Sequence, residues 1–182
     1  EAEARLAARV DHPNVVRVLG VAEDALITEW VEGADLNATI ERTGGLPPAL
    51  ATLVLHEAAR GLAAVHDAGI LHRDVSAANV LLGADGAVKL TDFGLASLAG
   101  EADREVRGTL GTLAPEAVRG DSVTPAADLF SLGAVLVHAL TGRTPFAADA
   151  SSGTLDAVLH TDPTEALIGD PRFPAPLVEI AA

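Results

Sequence analysis

Three side chains near the middle of the sequence could together bind a metal ion and move a proton. Asp74 and Asn79 lie five residues apart in a predicted loop, and Asp92 follows a predicted hairpin. Because a hairpin folds back on itself, we expect these three residues to converge in one place. Two acids and one amide suit a hard, oxygen-seeking cation such as Mg²⁺, with one acid left as a base. The alternative is that Asp and Asn stand there for turn formation alone.

The elements that would position these residues are two helices and a hairpin. Apolar residues at helical spacing predict a long amphipathic helix over 48–68, which Gly69 terminates. Two short apolar runs, 80–82 and 87–90, predict the hairpin. Residues 125–140 are apolar on nearly every side and predict a buried helix. The sequence also predicts a helix at 1–10, strands at 15–21 and 24–30, a looser stretch from Gly33 and Asp35, a loop at 94–116, and short helices near 153–160 and 175–182.

Composition narrows the classes of function. The 182 residues are 49% hydrophobic, which is typical of one globular domain. The net charge of −14 argues against binding to nucleic acids or anionic membranes, because such binding needs clustered Lys and Arg. Absence of cysteine excludes disulfides and thiolate metal sites. The sequence also contains no methionine, so we expect it to be an excerpt from a longer protein.

Three ordered motifs resemble the signature of the protein kinase catalytic domain, in the serine/threonine form found in bacteria. They are His72-Arg73-Asp74 with Asn79, Asp92-Phe93-Gly94, and Ala114-Pro115-Glu116. The resemblance covers essentially the whole chain. It implies an α+β, protein-kinase-like fold made of a truncated N-lobe at 1–28, a hinge at 29–31 and a mainly helical C-lobe at 32–182.

The resemblance also implies roles for individual residues. Asp74 would orient or deprotonate the substrate hydroxyl, and Asn79 and Asp92 would hold the Mg²⁺ ions that bridge the ATP phosphates. For the adenosine half of ATP, backbone groups of Glu29 and Val31 would bond the adenine edge, Leu81 would lie under the purine, and Asp35 could reach the ribose. The residues with structural or regulatory roles would be Glu3, His72, Arg73, Phe93, Gly94, Thr109, Glu116 and Asp128.

Two of these supporting roles consist of a contact with a particular group. Asp128, inside the helix predicted at 125–140, would hold the backbone of the catalytic loop at 72–79. Thr109 would bond the catalytic aspartate through its hydroxyl, and the alternative for this residue is a phosphorylation site. Thr28, the residue before the hinge, would lie at the back of the nucleotide pocket, although ordinary packing accounts for it equally well.

The function that the resemblance implies is transfer of the ATP γ-phosphoryl group to a Ser or Thr hydroxyl of a protein, in the cytoplasm. This stretch alone is expected to be inactive, because the family's Gly-rich loop and ATP-positioning lysine are absent from it. Ser76 and Ala78 are neutral where the family's kinases carry a cation. One alternative is therefore a pseudokinase scaffold. Another is a small-molecule phosphotransferase, against which the Ala114-Pro115-Glu116 motif argues.

Overall fold

The computed structural model of the chain describes residues 9–22, 25–92, 96–98, 108–146 and 151–173. Within those ranges, three strands come first, then two α-helices, four further strands and three more α-helices. The strands are β1 (Val18–Ala22), β2 (Ala25–Thr28), β3 (Gly33–Asp35), β4 (Ile70–Leu71), β5 (Val80–Gly83), β6 (Val88–Leu90) and β7 (Ser97–Leu98). The α-helices are α1 (Leu36–Thr43), α2 (Pro48–Asp67), α3 (Pro115–Arg119), α4 (Pro125–Thr141) and α5 (Ser151–His160).

Helices α2 and α4 pack together and carry most of the core. Each begins with proline in its first turn, where the missing N–H costs no hydrogen bond. Gly69 and Gly142 follow the two helices at φ values of 74° and 72°, in the left-handed region that glycine adopts without strain. The predicted helices at 48–68 and 125–140 are therefore confirmed to within about a residue at each end. The helix predicted near 153–160 is also confirmed, as α5.

One side of α4 departs from the prediction of a helix buried all round. Leu129 is 56% exposed. It faces a groove of about 460 Å³ between α2 and α4, whose walls also include Leu55 and Leu136. The prediction is wrong there because α2 covers only the neighbouring side of α4, and apolar composition alone does not say which side has a partner. No helix in the described ranges is both long enough and apolar enough to cross a bilayer.

A three-stranded antiparallel sheet in the order β3-β5-β6 lies beside these helices. Strands β5 and β6 form the predicted hairpin. The looser stretch expected after Gly33 and Asp35 is wrong, since β3 and α1 occupy it. Asp35 is the N-cap of α1, with its Oδ1 accepting the Ala38 N–H at 2.7 Å. The apolar signal for α1 is weak because only Leu36 and Ile40 are buried along its length.

Strands β1 and β2 form a separate antiparallel pair, shorter than the two strands predicted at 15–21 and 24–30. Val15 instead makes an isolated parallel bridge with Leu90 of β6. The predicted loop at 94–116 is also partly wrong. It contains β7, which pairs with β4, and the first residues of α3. The helices predicted at 1–10 and 175–182 lie almost entirely outside the described residues.

Candidate active site

One buried carboxylate holds the start of the loop at 72–79. Asp128, in the first turn of α4, is only 1% exposed. Its oxygens accept the backbone N–H groups of His72 at 2.9 Å and Arg73 at 2.8 Å. His66, in the last turn of α2, places its Nε2 2.8 Å from the same carboxylate. Both long helices therefore fix the start of the loop, and Arg73 is held at φ 64°, a left-handed conformation that a non-glycine residue rarely adopts.

His72 connects the loop to the end of β6. Its Nδ1 accepts the Asp74 N–H at 3.3 Å, so the hydrogen bond at 3.2 Å to the Thr91 carbonyl assigns the proton to Nε2. Burial lowers the pKa of His72, and the charges of Asp128 and Asp74 oppose this shift without reversing it. The ring is therefore neutral at neutral pH, which matches the donor and acceptor that its two neighbours require.

The Asp74 carboxylate is oriented on both of its oxygens. Asn79 donates through Nδ2 to the Asp74 carbonyl at 2.8 Å and to Oδ2 at 2.9 Å. Thr109 donates its backbone N–H and its hydroxyl to Oδ1, each at 2.8 Å. The Thr109 bond has the geometry expected from the resemblance. It also places an aliphatic hydroxyl directly on the carboxylate that would meet a substrate hydroxyl.

Asp92 is joined to this network through the backbone of the residue before it. The Thr91 N–H donates to the Asn79 carbonyl at 3.0 Å, and the Thr91 carbonyl accepts from His72, so the backbone just before Asp92 is tied on both sides. Asp92 itself is exposed and has φ 63°. Its charge is close enough to act on the His72 ring. Asp74 and Asn79 are thus in direct contact, and the backbone just before Asp92 is hydrogen-bonded to the same loop.

The residues present fit a magnesium ion completed by phosphate oxygens. The Asn79 Nδ2 group is committed to Asp74, which leaves the amide oxygen as the atom available to a cation. Asp92 adds an exposed carboxylate. Within the described ranges, no three His, Asp or Glu side chains cluster as an all-protein metal site would require. One amide oxygen and one carboxylate suit Mg²⁺, which is usually held by one or two protein groups together with phosphates and water.

Two of the residues expected around adenosine, Asp35 and Leu81, lie side by side in the three-stranded sheet. Asp35 of β3 lies opposite Leu81 of β5, and Leu81 lies opposite Lys89 of β6. Directly opposed residues of antiparallel strands place their side chains on one face of the sheet. The Lys89 Nζ extends the row to Glu29, whose Oε1 it meets at 2.7 Å. One carboxylate oxygen of Asp35 caps α1, and the second oxygen is not engaged by that cap.

The other predicted residues take varied positions. Val31 is half-buried beside Glu29, Thr28 is exposed at the end of β2, and Glu116 is half-buried in the first turn of α3. Glu3, Phe93 and Gly94 lie outside the described residues. The sequence prediction missed His66 and Lys89 as contributors to the site. Their partners, Asp128 and Glu29, are separated from them by 62 and 60 residues, so no local spacing could have revealed the pairs.

Comparison with known proteins places the chain in a family. The protein kinase domain family matches residues 1–174. The chain is 36% identical over 176 residues to the serine/threonine-protein kinase drp72 of Corynebacterium efficiens, which covers 90% of this chain and 34% of that protein. It is 37% identical over 174 residues to the serine/threonine-protein kinase PknB of Mycobacterium leprae, covering 88% of this chain and 28% of the relative. The serine/threonine-protein kinase PknL of Mycobacterium tuberculosis is 38% identical over 157 residues, with coverages of 82% and 39%.

The chain therefore belongs to the protein kinase family, and its mixture of small sheets and packed helices is the kinase-like α+β fold that the motifs imply. It spans between 28% and 39% of the length of these three relatives.

Proposed function

We propose that this chain is the catalytic part of a serine/threonine protein kinase, which transfers the γ-phosphoryl group of ATP to a Ser or Thr hydroxyl of a protein. The observation that carries the proposal is the Asp74 carboxylate, which Asn79 orients and which accepts the Thr109 hydroxyl at 2.8 Å. A substrate hydroxyl at the same carboxylate could give up its proton there as its oxygen attacks phosphorus. The names of the relatives support the same activity.

Asn79 and Asp92 would hold Mg²⁺ on the ATP phosphates, through the Asn79 amide oxygen and the Asp92 carboxylate. When bound, the ion neutralises the charge of the phosphate oxygens. The chain's own contribution is positional. Asp128 fixes the loop backbone, and His72 ties it to the residue before Asp92, so that base and metal ligands keep one spacing.

The adenosine end of ATP would lie along the row that Asp35 and Leu81 form in the sheet. The Glu29 N–H donates to the Arg17 carbonyl at 2.9 Å, which leaves the Glu29 carbonyl as its backbone group for the purine. The Val31 N–H would complete the adenine contact. We accordingly propose residues 1–28 as N-lobe, 29–31 as hinge and 32–182 as C-lobe, acting on protein substrates in the cytoplasm.

A binding or scaffolding role is the second candidate, because the catalytic loop lacks a cation at two positions. Ser76 is buried and Ala78 is exposed, and neither can stabilise a transferring phosphate. The loss of one such electrostatic contact costs on the order of a hundredfold in rate. The single lysine of the sequence, Lys89, is already bonded to Glu29. We therefore propose that the 182-residue stretch by itself does not transfer phosphate.

A phosphoryl-transfer assay on the full-length protein tests this proposal. With Mg·ATP and a generic acceptor protein such as casein, we expect transfer to fall about a hundredfold or more on Asp92→Ala and on Asp74→Asn. Asp156→Ala is the matched control, because Asp156 is an exposed aspartate on α5. Absence of transfer by the unaltered protein, with Mg·ADP still bound, would favour the scaffold. A single-turnover assay of the 182 residues alone should show no transfer that depends on Asp92.

A further inference from the structure

Lys89 is the one lysine of the sequence, and its ion pair with Glu29 has no part in the function proposed so far. Lys89 lies in the middle of β6, and its Nζ is 2.7 Å from the Glu29 Oε1. The two side chains are only 17% and 21% exposed. Salt screens a pair so shielded from water less than it screens a surface pair. Removing one partner leaves the other charge without compensation.

Glu29 is held from a second direction as well. The oxygen that accepts from Lys89 also accepts the Arg17 N–H at 2.8 Å, and the Glu29 N–H returns a bond to the Arg17 carbonyl at 2.9 Å. Burial works against ionisation of Glu29, but the bonds from Lys89 and Arg17 outweigh it and lower the pKa of this carboxyl. Glu29 is therefore a carboxylate at neutral pH, clamped between the segment before β1 and strand β6.

The Lys89–Glu29 pair lies where the segment around β1 and β2 meets the three-stranded sheet. Val16 and Leu90 are joined by a backbone bond of 2.8 Å, and the Leu90 N–H donates to the Asn14 carbonyl at the same distance. Lys89, the residue before Leu90, stands opposite Leu81 in the row proposed for adenosine. The ion pair thus connects the segment that would bond the adenine edge to the strand beside the surface on which the purine would lie.

We propose that Lys89 is a positioning residue for the nucleotide, which sets the place and angle of the Glu29–Val31 backbone through its ion pair with Glu29. This inference rests on the proposed kinase function. Hydrogen bonds to a purine depend on donor and acceptor positions held to about half an ångström. Without the pair, the Glu29 side chain is no longer held to β6. The proposed hinge then becomes ordered only when the nucleotide binds, and this ordering lowers the affinity.

The test measures affinity for Mg·ADP by isothermal titration calorimetry of the full-length protein. We expect Lys89→Met, which keeps the length and apolar stem of the side chain, to raise the dissociation constant about tenfold. Lys89→Arg should restore most of the affinity because it keeps the charge. In steady-state assays the KM for ATP should rise more than kcat falls, a split that general loss of structure would not produce. Arg60→Met, which removes the ion pair between the exposed Arg60 and the part-buried Glu57 on α2, is the matched control and should leave affinity unchanged.

The possible results separate this inference from the function on which it rests. If the unaltered protein does not bind Mg·ADP, the proposed function fails. If it binds and Lys89→Met binds equally well, the positioning role is wrong. If Lys89→Met does not fold, Glu29→Gln decides by the same measurement, since it removes the charge while keeping the shape.

Discussion

The anchoring of the loop at 72–79 by Asp128 predicts a large and local effect of removing that carboxylate. In Asp128→Ala the backbone N–H groups of His72 and Arg73 lose their acceptor in a site that is 1% exposed. Each orphaned buried donor costs about 1–3 kcal/mol. Release of Arg73 from its φ of 64° returns roughly 1 kcal/mol. The net loss is about 3 kcal/mol, since two donors at the middle of that range cost more than the relaxed backbone returns.

Hydrogen–deuterium exchange in the full-length protein measures this loss where it occurs. A loss of about 3 kcal/mol corresponds to roughly a hundredfold faster exchange for the amides of His72 and Arg73. Asp128→Asn keeps one acceptor oxygen and should give an intermediate rate. An alanine at Asp121, which is exposed ahead of the same helix, is the control and should leave both amides protected. Unchanged protection of His72 and Arg73 in Asp128→Ala would refute the reasoning.

Two further predictions concern the same loop. Thr109→Val removes the hydroxyl that Asp74 accepts, so we expect phosphoryl transfer to fall about tenfold while Thr109→Ser retains it; equal rates for the two variants would show that the bond does not orient Asp74. Because burial lowers the pKa of His72, the unfolded chain binds more protons as pH falls below about 6.5, and stability should be complete above that pH and decline below it. Exchange of the loop amides from pH 7.5 to 5.5, corrected for intrinsic rates, measures this, and a rise in protection towards acid would contradict the sign.

The parts of the fold that could be predicted are those whose ends are marked in the sequence. Helices α2 and α4 combine proline at the start, apolar residues at helical spacing, and glycine just past the end. Helix α1 was missed because it buries only Leu36 and Ile40, although Asp35 and Gly44 do cap it. The exposure of Leu129 depends on which side of α4 has a partner, and that is decided by packing between distant elements.

In the candidate site as well, contacts between residues near in sequence were easier to predict than contacts between distant residues. The spacing of Asp74 and Asn79 is short, so their contact could be expected from the loop itself. The contact between Asp128 and the loop backbone follows from the resemblance, because no pattern in the sequence joins residues more than 50 positions apart. Neither local spacing nor the resemblance predicted the Lys89–Glu29 pair. It arises because β6 passes beside the segment that follows β2, which only the three-dimensional structure reveals.

The proposed kinase function depends most on a shared magnesium and nucleotide pocket formed by Asn79 and Asp92 beside Asp74. A crystal structure of the full-length protein with Mn²⁺ and a non-hydrolysable ATP analogue would test it most directly, since the anomalous signal of Mn²⁺ locates the metal independently of the protein. We predict an ion within about 2.5 Å of the Asn79 amide oxygen and of an Asp92 carboxylate oxygen, with the purine between Glu29 and Leu81. Mn²⁺ bound away from both residues, or a nucleotide outside this cleft, would contradict the account.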